Sequence, residues 1–164
     1  MGRWTARLVT LVGVALALGL VALGGLGGYL YWNRTEFRAE QQAREVLPPL
    51  AAQQIPAILG FDYQTVERSR LDAYNLMTPE FRRQYEDDTA KNVIPQARDR
   101  QVVSQVNVVG VGMLAAQRDS ASVMVFMNRT VTDKSKQPVY DGSRLRVEYQ
   151  KIDGKWLIGD IKLL

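Results

Sequence analysis

No cysteine and no histidine occur in this chain of 164 residues. The first absence excludes a disulfide framework, a thiolate nucleophile and the thioether-linked anchor of a lipoprotein, and it leaves the redox compartment open. The second removes the commonest general base and the commonest metal ligand together. Acidic residues are missing from the whole amino-terminal segment: all 17 lie after Trp32, with every basic residue except Arg3 and Arg7. The 21 basic residues less those two exceed the acidic ones by only +2 in the part that follows. Charges of both signs are interspersed there, with no basic run carrying aromatics. The pI of 9.5 is therefore no nucleic-acid signal, and no nucleic-acid partner is expected.

What the amino terminus does hold is a long apolar run, Leu8 to Trp32, 25 residues without a charge. As a helix rising about 1.5 Å per residue it reaches roughly 37 Å, enough to cross a hydrocarbon core of about 30 Å with some tilt. A secretory signal has a shorter apolar region of about 7–15 residues and a small-x-small cleavage site. Here the far end is Tyr29-Leu30-Tyr31-Trp32, an aromatic belt of the kind that marks a helix end at a membrane interface. The reading is a retained single-span anchor, with a cleaved signal as the alternative, since Gly24, Gly25, Gly27 and Gly28 also suit a peptidase. Gly24 and Gly28 form a GxxxG spacing that lets spanning helices approach, although small residues also simply fill such helices. Arg3 and Arg7 before the span nearly balance Arg34, Arg38 and Arg44 after it, so charge alone leaves the orientation open.

Beyond the anchor, about 130 residues suffice for a stalk and one globular domain. Residues 35–60 read as a helical stalk: "TEFRAEQQAREVL" is rich in helix formers, and Glu40 stands four residues before Arg44. Pro48-Pro49 is expected to interrupt it and Pro56 to break or kink it again. In residues 61–164 the first helix covers part of "FDYQTVERSRLDAYNLM", with Val66, Arg70, Ala73 and Met77, and also Leu71 and Tyr74, near a helical period and Thr65 or Asp62 as cap. Thr78-Pro79 then opens a second helix with Phe81, Tyr85 and Ala90 facing inward and Pro95 limiting or bending it.

After Arg100 the texture becomes that of strands. "QVVSQVNVVGVGMLAA" predicts a long strand bent at Gly110 and Gly112, "QRDS" a turn, and "ASVMVFMNRTV" a strand apolar on both faces in its middle. "TDKSKQPVYDG" reads as the longest loop. In "SRLRVEYQKI" Leu145, Val147 and Tyr149 alternate with charged residues, and Asp153-Gly154 signals a type I′ hairpin into "KWLIGDIKLL". The fold class is α+β, with helices on one face of a curved antiparallel sheet of about four strands.

These same segments resemble the Mce-associated membrane proteins, most tellingly in "FDYQTVE" with "MTPEFRRQY" after it, in "VMVFMNRTVT" and in "RLRVEYQKIDGKWLIGDI". The resemblance covers almost the whole chain and includes no catalytic signature. It implies a cone-shaped nuclear transport factor 2-like domain outside the plasma membrane, with residues 1–34 as cytoplasmic tip and transmembrane anchor. It also implies a non-catalytic accessory subunit that assembles or stabilises an Mce-type lipid importer, with tunnel proteins, the permease and sibling Mce-associated proteins as partners. In such relatives the stalk helix is expected to run unbroken, unlike the proline-bearing one here.

Contact regions expected for a scaffold are the span, the stalk and the loop Thr132 to Gly142. A lipid-binding cavity between helices and sheet, using Val125, Phe126 and Met127, is the alternative. An isomerase or dehydratase of the same fold is a further one, with Asp62, Tyr63, Asp72, Tyr74, Glu80 and Tyr85 as candidates. Each has a plain structural role as well: Asp62 as a cap, Glu80 as a first-turn acid, Tyr74 and Tyr85 as core aromatics with a wet hydroxyl. No catalytic, cofactor-binding or metal-binding residue is assigned, and no cofactor is expected. Trp156 is expected in the core, and the sequons at Asn33 and Asn128 read as chance matches.

Overall fold

The computed structural model describes the backbone of residues 3–164, and side chains for residues 19, 21–25 and 37–164. Most side chains of the Leu8–Trp32 span, and Gly28 of the GxxxG spacing, lie outside the described residues. Among the described residues no helix is long and apolar enough to cross a membrane. Packing divides the chain into two units, Met1–Ala39, helical from Arg3 on, and Glu40–Leu164, which holds the core.

The first helix, α1, is Arg3–Leu59, and it passes through Pro48, Pro49 and Pro56. The expected interruptions do not occur. Each proline removes one N–H from the helical ladder, at a cost of about 3 kcal/mol in a helix interior. What offsets this is burial: Ala43, Leu47, Ala51, Ile55 and Ile58 recur every three or four residues and share one core with the sheet. Gln54, also buried, accepts a 3.0 Å hydrogen bond from the Tyr149 hydroxyl across 95 positions of sequence. Burial drives the Tyr149 phenol far above its ordinary pKa, so it remains a donor at any physiological pH.

Gly60 follows at once, its N–H 2.8 Å from the Pro56 carbonyl. A Cβ on Gly60 would stand 2.6 Å from that same oxygen, so only glycine lets the chain leave α1 this tightly. The next residues form a two-residue strand, β1 (Phe61–Asp62), where the sequence suggested only a helix cap. Asp62 accepts from the Gln64 N–H at 2.8 Å and so shapes the turn into α2 (Val66–Tyr74), whose N-cap is Thr65.

Helix α3 (Pro79–Asp88) begins as expected, with Thr78 Oγ1 accepting from the Phe81 N–H at 3.3 Å and proline in the first turn. Its inward face departs from expectation at the far end: Thr89 is buried and Ala90 exposed. The cause is a π-helical turn, Thr89–Val93, which advances the register just before Pro95. Helix α4 (Ile94–Arg100) continues beyond it and stops at Gln101, which takes the left-handed conformation, φ 53°.

Four long strands follow: β2 (Val103–Ala116), β3 (Ser120–Thr132), β4 (Val139–Ile152) and β5 (Lys155–Leu163). With β1 they make one antiparallel sheet in the order β1-β2-β3-β4-β5, five strands where about four were expected. In β2 the register shifts twice, between Val108 and Gly110 and between Met113 and Ala115. These bulges curl the sheet, but the residues they leave unpaired are Val109 and Leu114, while Gly110 and Gly112, where the bend was expected, pair with Phe126 and Met124. One face of β3 and β4 is the core, with Ala121, Val123, Val125 and Met127 beside Leu145, Val147 and Tyr149. Asp153 (φ 50°) and Gly154 (φ 78°) both lie at positive φ, as a type I′ turn requires. Trp156 is half-buried rather than fully inside, its ring covered by Lys151 across the hairpin with Nζ 5.5 Å from the centroid. The loop expected over Thr132 to Gly142 is shorter, because Val139, Tyr140 and Asp141 pair with Val131, Thr130 and Arg129.

Candidate functional site

A buried arginine organises the mouth of the domain. Arg70, on α2, is 3% exposed and belongs to none of the ion pairs among the described residues. Its Nη1 donates to the Ile58 carbonyl and to the Tyr85 hydroxyl, and that hydroxyl donates to the same carbonyl at 2.8 Å. Ser104 adds a 3.3 Å bond to the Leu59 carbonyl. The free carbonyls that end α1 gather partial negative charge, so a cation is stabilised there without a carboxylate. Phe61 lies under the guanidinium at 4.7 Å and Tyr85 at 5.6 Å, covering the rest of the charge with aromatic faces. Burial raises the Tyr85 phenol pKa, and the nearby Arg70 opposes that rise.

The other face of this corner opens into a pocket of about 490 Å³ between the π turn with α4 and the strands β2, β3 and β4. Apolar walls come from Phe61, Val93, Ala97, Val102, Val131 and Val139. Polar groups come from Asn92, Gln96, Arg100, Arg129, Asp133 and Gln137. Val125 and Met127, named above for a lipid cavity, are core residues instead, and Phe126 lies on the opposite face of the sheet, 42% exposed. Strand alternation explains the correction: odd positions of β3 face the helices, but only Arg129 and Val131 lie far enough along to reach the cavity. The segment from Asp133 to Val139 does lie within the loop singled out as a contact region.

That loop is fastened to α4. Arg100 pairs with Asp133 at 2.9 Å, the Lys134 N–H donates to the Arg100 carbonyl at 2.9 Å, and the Ser135 N–H donates to Asp133 Oδ1 at 2.9 Å. Hydrogen bonds from Ser135, then the Arg100 guanidinium, hold the Asp133 carboxyl at about 2, below its ordinary 3.8. Because the folded value is the lower one, this anchoring is complete above the ordinary value and is lost as pH falls through about 2. Hydrogen exchange of the loop amides, corrected for intrinsic rates, is expected to stay constant down to about pH 4 and to accelerate toward about pH 2.

The enzyme candidates are not gathered into one site. Tyr74 and Tyr85 meet edge to face at 6.3 Å, as core aromatics do. Asp62 is used in its turn, the Tyr63 hydroxyl accepts from Gln64 at 3.1 Å, and Asp72 and Glu80 are exposed. Among the described residues no group of three or more His, Cys, Asp or Glu side chains is placed to hold a metal. Sequence reading placed Arg70 on the inward face of its helix but gave it no role, and it missed Arg100 and Arg129. The one available signal was an arginine at an apolar period.

No protein-family model matches the chain. Outer membrane protein Rv1973 of Mycobacterium tuberculosis is 30% identical over 152 residues, 93% of this chain and 92% of that protein. A second protein of that organism, uncharacterized protein Rv1362c, is 29% identical over 90% of this chain and 68% of its own length. Among solved structures, the periplasmic domain of DotI superposes with a TM-score of 0.64 at 11% identity, over 73% of this chain and 94% of that one. The VirB8 protein of Agrobacterium tumefaciens gives a TM-score of 0.54 at 14% identity, over 68% and 84%. The shared fold is the nuclear transport factor 2-like arrangement of helices on a curled antiparallel sheet expected above.

Proposed function

We propose, from the premise that this chain belongs to the family of outer membrane protein Rv1973 of M. tuberculosis, that it is a non-catalytic accessory subunit of the cell envelope. In this reading Leu8 to Trp32 anchors it in the plasma membrane, and the extracytoplasmic domain joins residues 61–164 to most of the expected stalk, residues 40–60, because Ala43, Leu47, Ile55 and Ile58 belong to its core. The partners are subunits of an Mce-type lipid importer, which the sequence resemblance indicates. The observation that carries the reading is the pairing of one uncharged apolar segment of 25 residues with a single domain in which buried Arg70 ties the end of α1 to α2 and buried Gln54 ties α1 to the sheet. Similarity to Rv1973 extends over 93% of the chain, so the apolar segment cannot lie wholly outside it. An anchor confines the domain near membrane partners, and such confinement reaches effective concentrations in about the mM range when geometry allows.

Affinity purification of the full chain from its host in mild detergent, with mass spectrometry of the co-purified proteins, tests this. Tunnel and permease subunits are expected to be enriched over a control membrane protein, and to be lost when Leu8 to Trp32 is replaced by an unrelated span. Recovery of the chain without any transporter subunit would sink the reading.

A further inference from the structure

We propose that the pocket between α4 and the open end of β2, β3 and β4 binds a single-chain amphipathic carboxylate. Its head would meet Arg129 and Arg100, and its tail would lie on Phe61, Val131 and Val139. This inference stands independently of the importer reading. The volume, about 490 Å³, falls in the range of about 300–1,000 Å³ typical of small-ligand sites. It suits one short acyl chain better than a two-tailed lipid.

The apolar walls would desolvate the tail, and the charged groups select the head. Two arginines and one carboxylate, Asp133, line the pocket, and Asp141 beside it pairs with Arg129, so the head group is selected by the guanidinium donors these pairs leave over and not by net charge. Neither guanidinium is used up by its ion pair. Arg100 meets Asp133 through Nη2 alone, and Arg129 meets Asp141 through Nη2 at 3.2 Å. The Arg129 Nε is buried and has no partner among the described residues. A buried donor without an acceptor costs free energy, and a carboxylate oxygen supplies the acceptor in a geometry that a guanidinium fork matches. Phe61 links the site to the fold: it forms pocket wall and also stacks on Arg70, so its position is set by the buried cation.

The test uses the full chain in bilayer nanodiscs and two photoreactive probes of equal length, a decanoate and a decanol that carry a diazirine at the tail. Labelled peptides are mapped by mass spectrometry. The decanoate probe is expected to label peptides holding Phe61 or the Val131 to Val139 segment, and unlabelled decanoate to compete. Arg129→Gln is expected to cut this labelling about tenfold, as loss of a charge-assisted hydrogen bond does, while labelling by the decanol probe stays constant. Arg100→Gln, at the exposed end of α4, serves as a second variant if the first unfolds, and thermal unfolding reports that. Absence of decanoate labelling at these peptides in the wild type would overturn the proposal. So would equal decanoate labelling in the wild type and both folded variants. Either failure leaves the co-purification result for the importer reading unaffected.

Discussion

An Arg70→Ala variant is expected to lose about 3 kcal/mol of unfolding free energy, read from urea unfolding of the full chain in mild detergent. The loss has four physical sources. The Ile58 carbonyl and the Tyr85 hydroxyl each lose a charged donor, the end of α1 loses a cation, and Phe61 and Tyr85 lose the guanidinium between them. A cavity then remains where a nearly fully buried side chain stood. Arg70→Lys separates these sources. An ammonium keeps the charge at the helix terminus, but it has no planar fork to reach the carbonyl and the phenol while lying flat on Phe61, so it should recover less than half of the loss. A loss in Arg70→Ala below about 1 kcal/mol would mean that Tyr85 and Ser104 alone terminate α1.

Ile55→Ala should be nearly as costly, about 2–5 kcal/mol, although the residue sits between prolines in a segment whose sequence suggests a broken stalk. Ile55 is fully buried among residues of the same core as Val123, Val125 and Val147. The neighbouring Gln53 is exposed, so Gln53→Ala is the internal control and should stay within about 0.5 kcal/mol of the wild type. If α1 contributes to the core as described, Ile55→Ala also accelerates hydrogen exchange of β3 amides, because these share its unfolding unit. Equal stabilities for the two variants would show that the carboxyl-terminal part of α1 is not part of the folded core.

The regular strands were the most legible part of the chain. Alternation at Leu145, Val147 and Tyr149 named the buried face of β4, and Asp153-Gly154 named its turn, because a period of two and a pair of positive φ angles are local constraints written in adjacent residues. The start of α3 was legible for the same reason, since Thr78 and Pro79 satisfy its first turn by themselves. Where sequence reading departed from the structure, either an irregular turn or a distant group decided the outcome. The register of Thr89 and Ala90 followed from the π turn ahead of Pro95, and β1 exists because Phe61 and Asp62 find Val103 and Ser104 some 40 residues on.

By itself the sequence determined the α+β class, the order of helices before a meander, the uncharged segment before the domain, and the scarcity of catalytic side chains, since these depend on composition and short periodicities. Tertiary structure alone decided that α1 survives three prolines, that Arg70 lies buried with no carboxylate partner among the described residues, and that Arg100 and Arg129 line one pocket. Each of these depends on groups far apart in the chain. Propensity penalises a proline locally, whereas the burial of Leu47, Ile55 and Ile58 that outweighs it is summed over partners the local sequence does not contain.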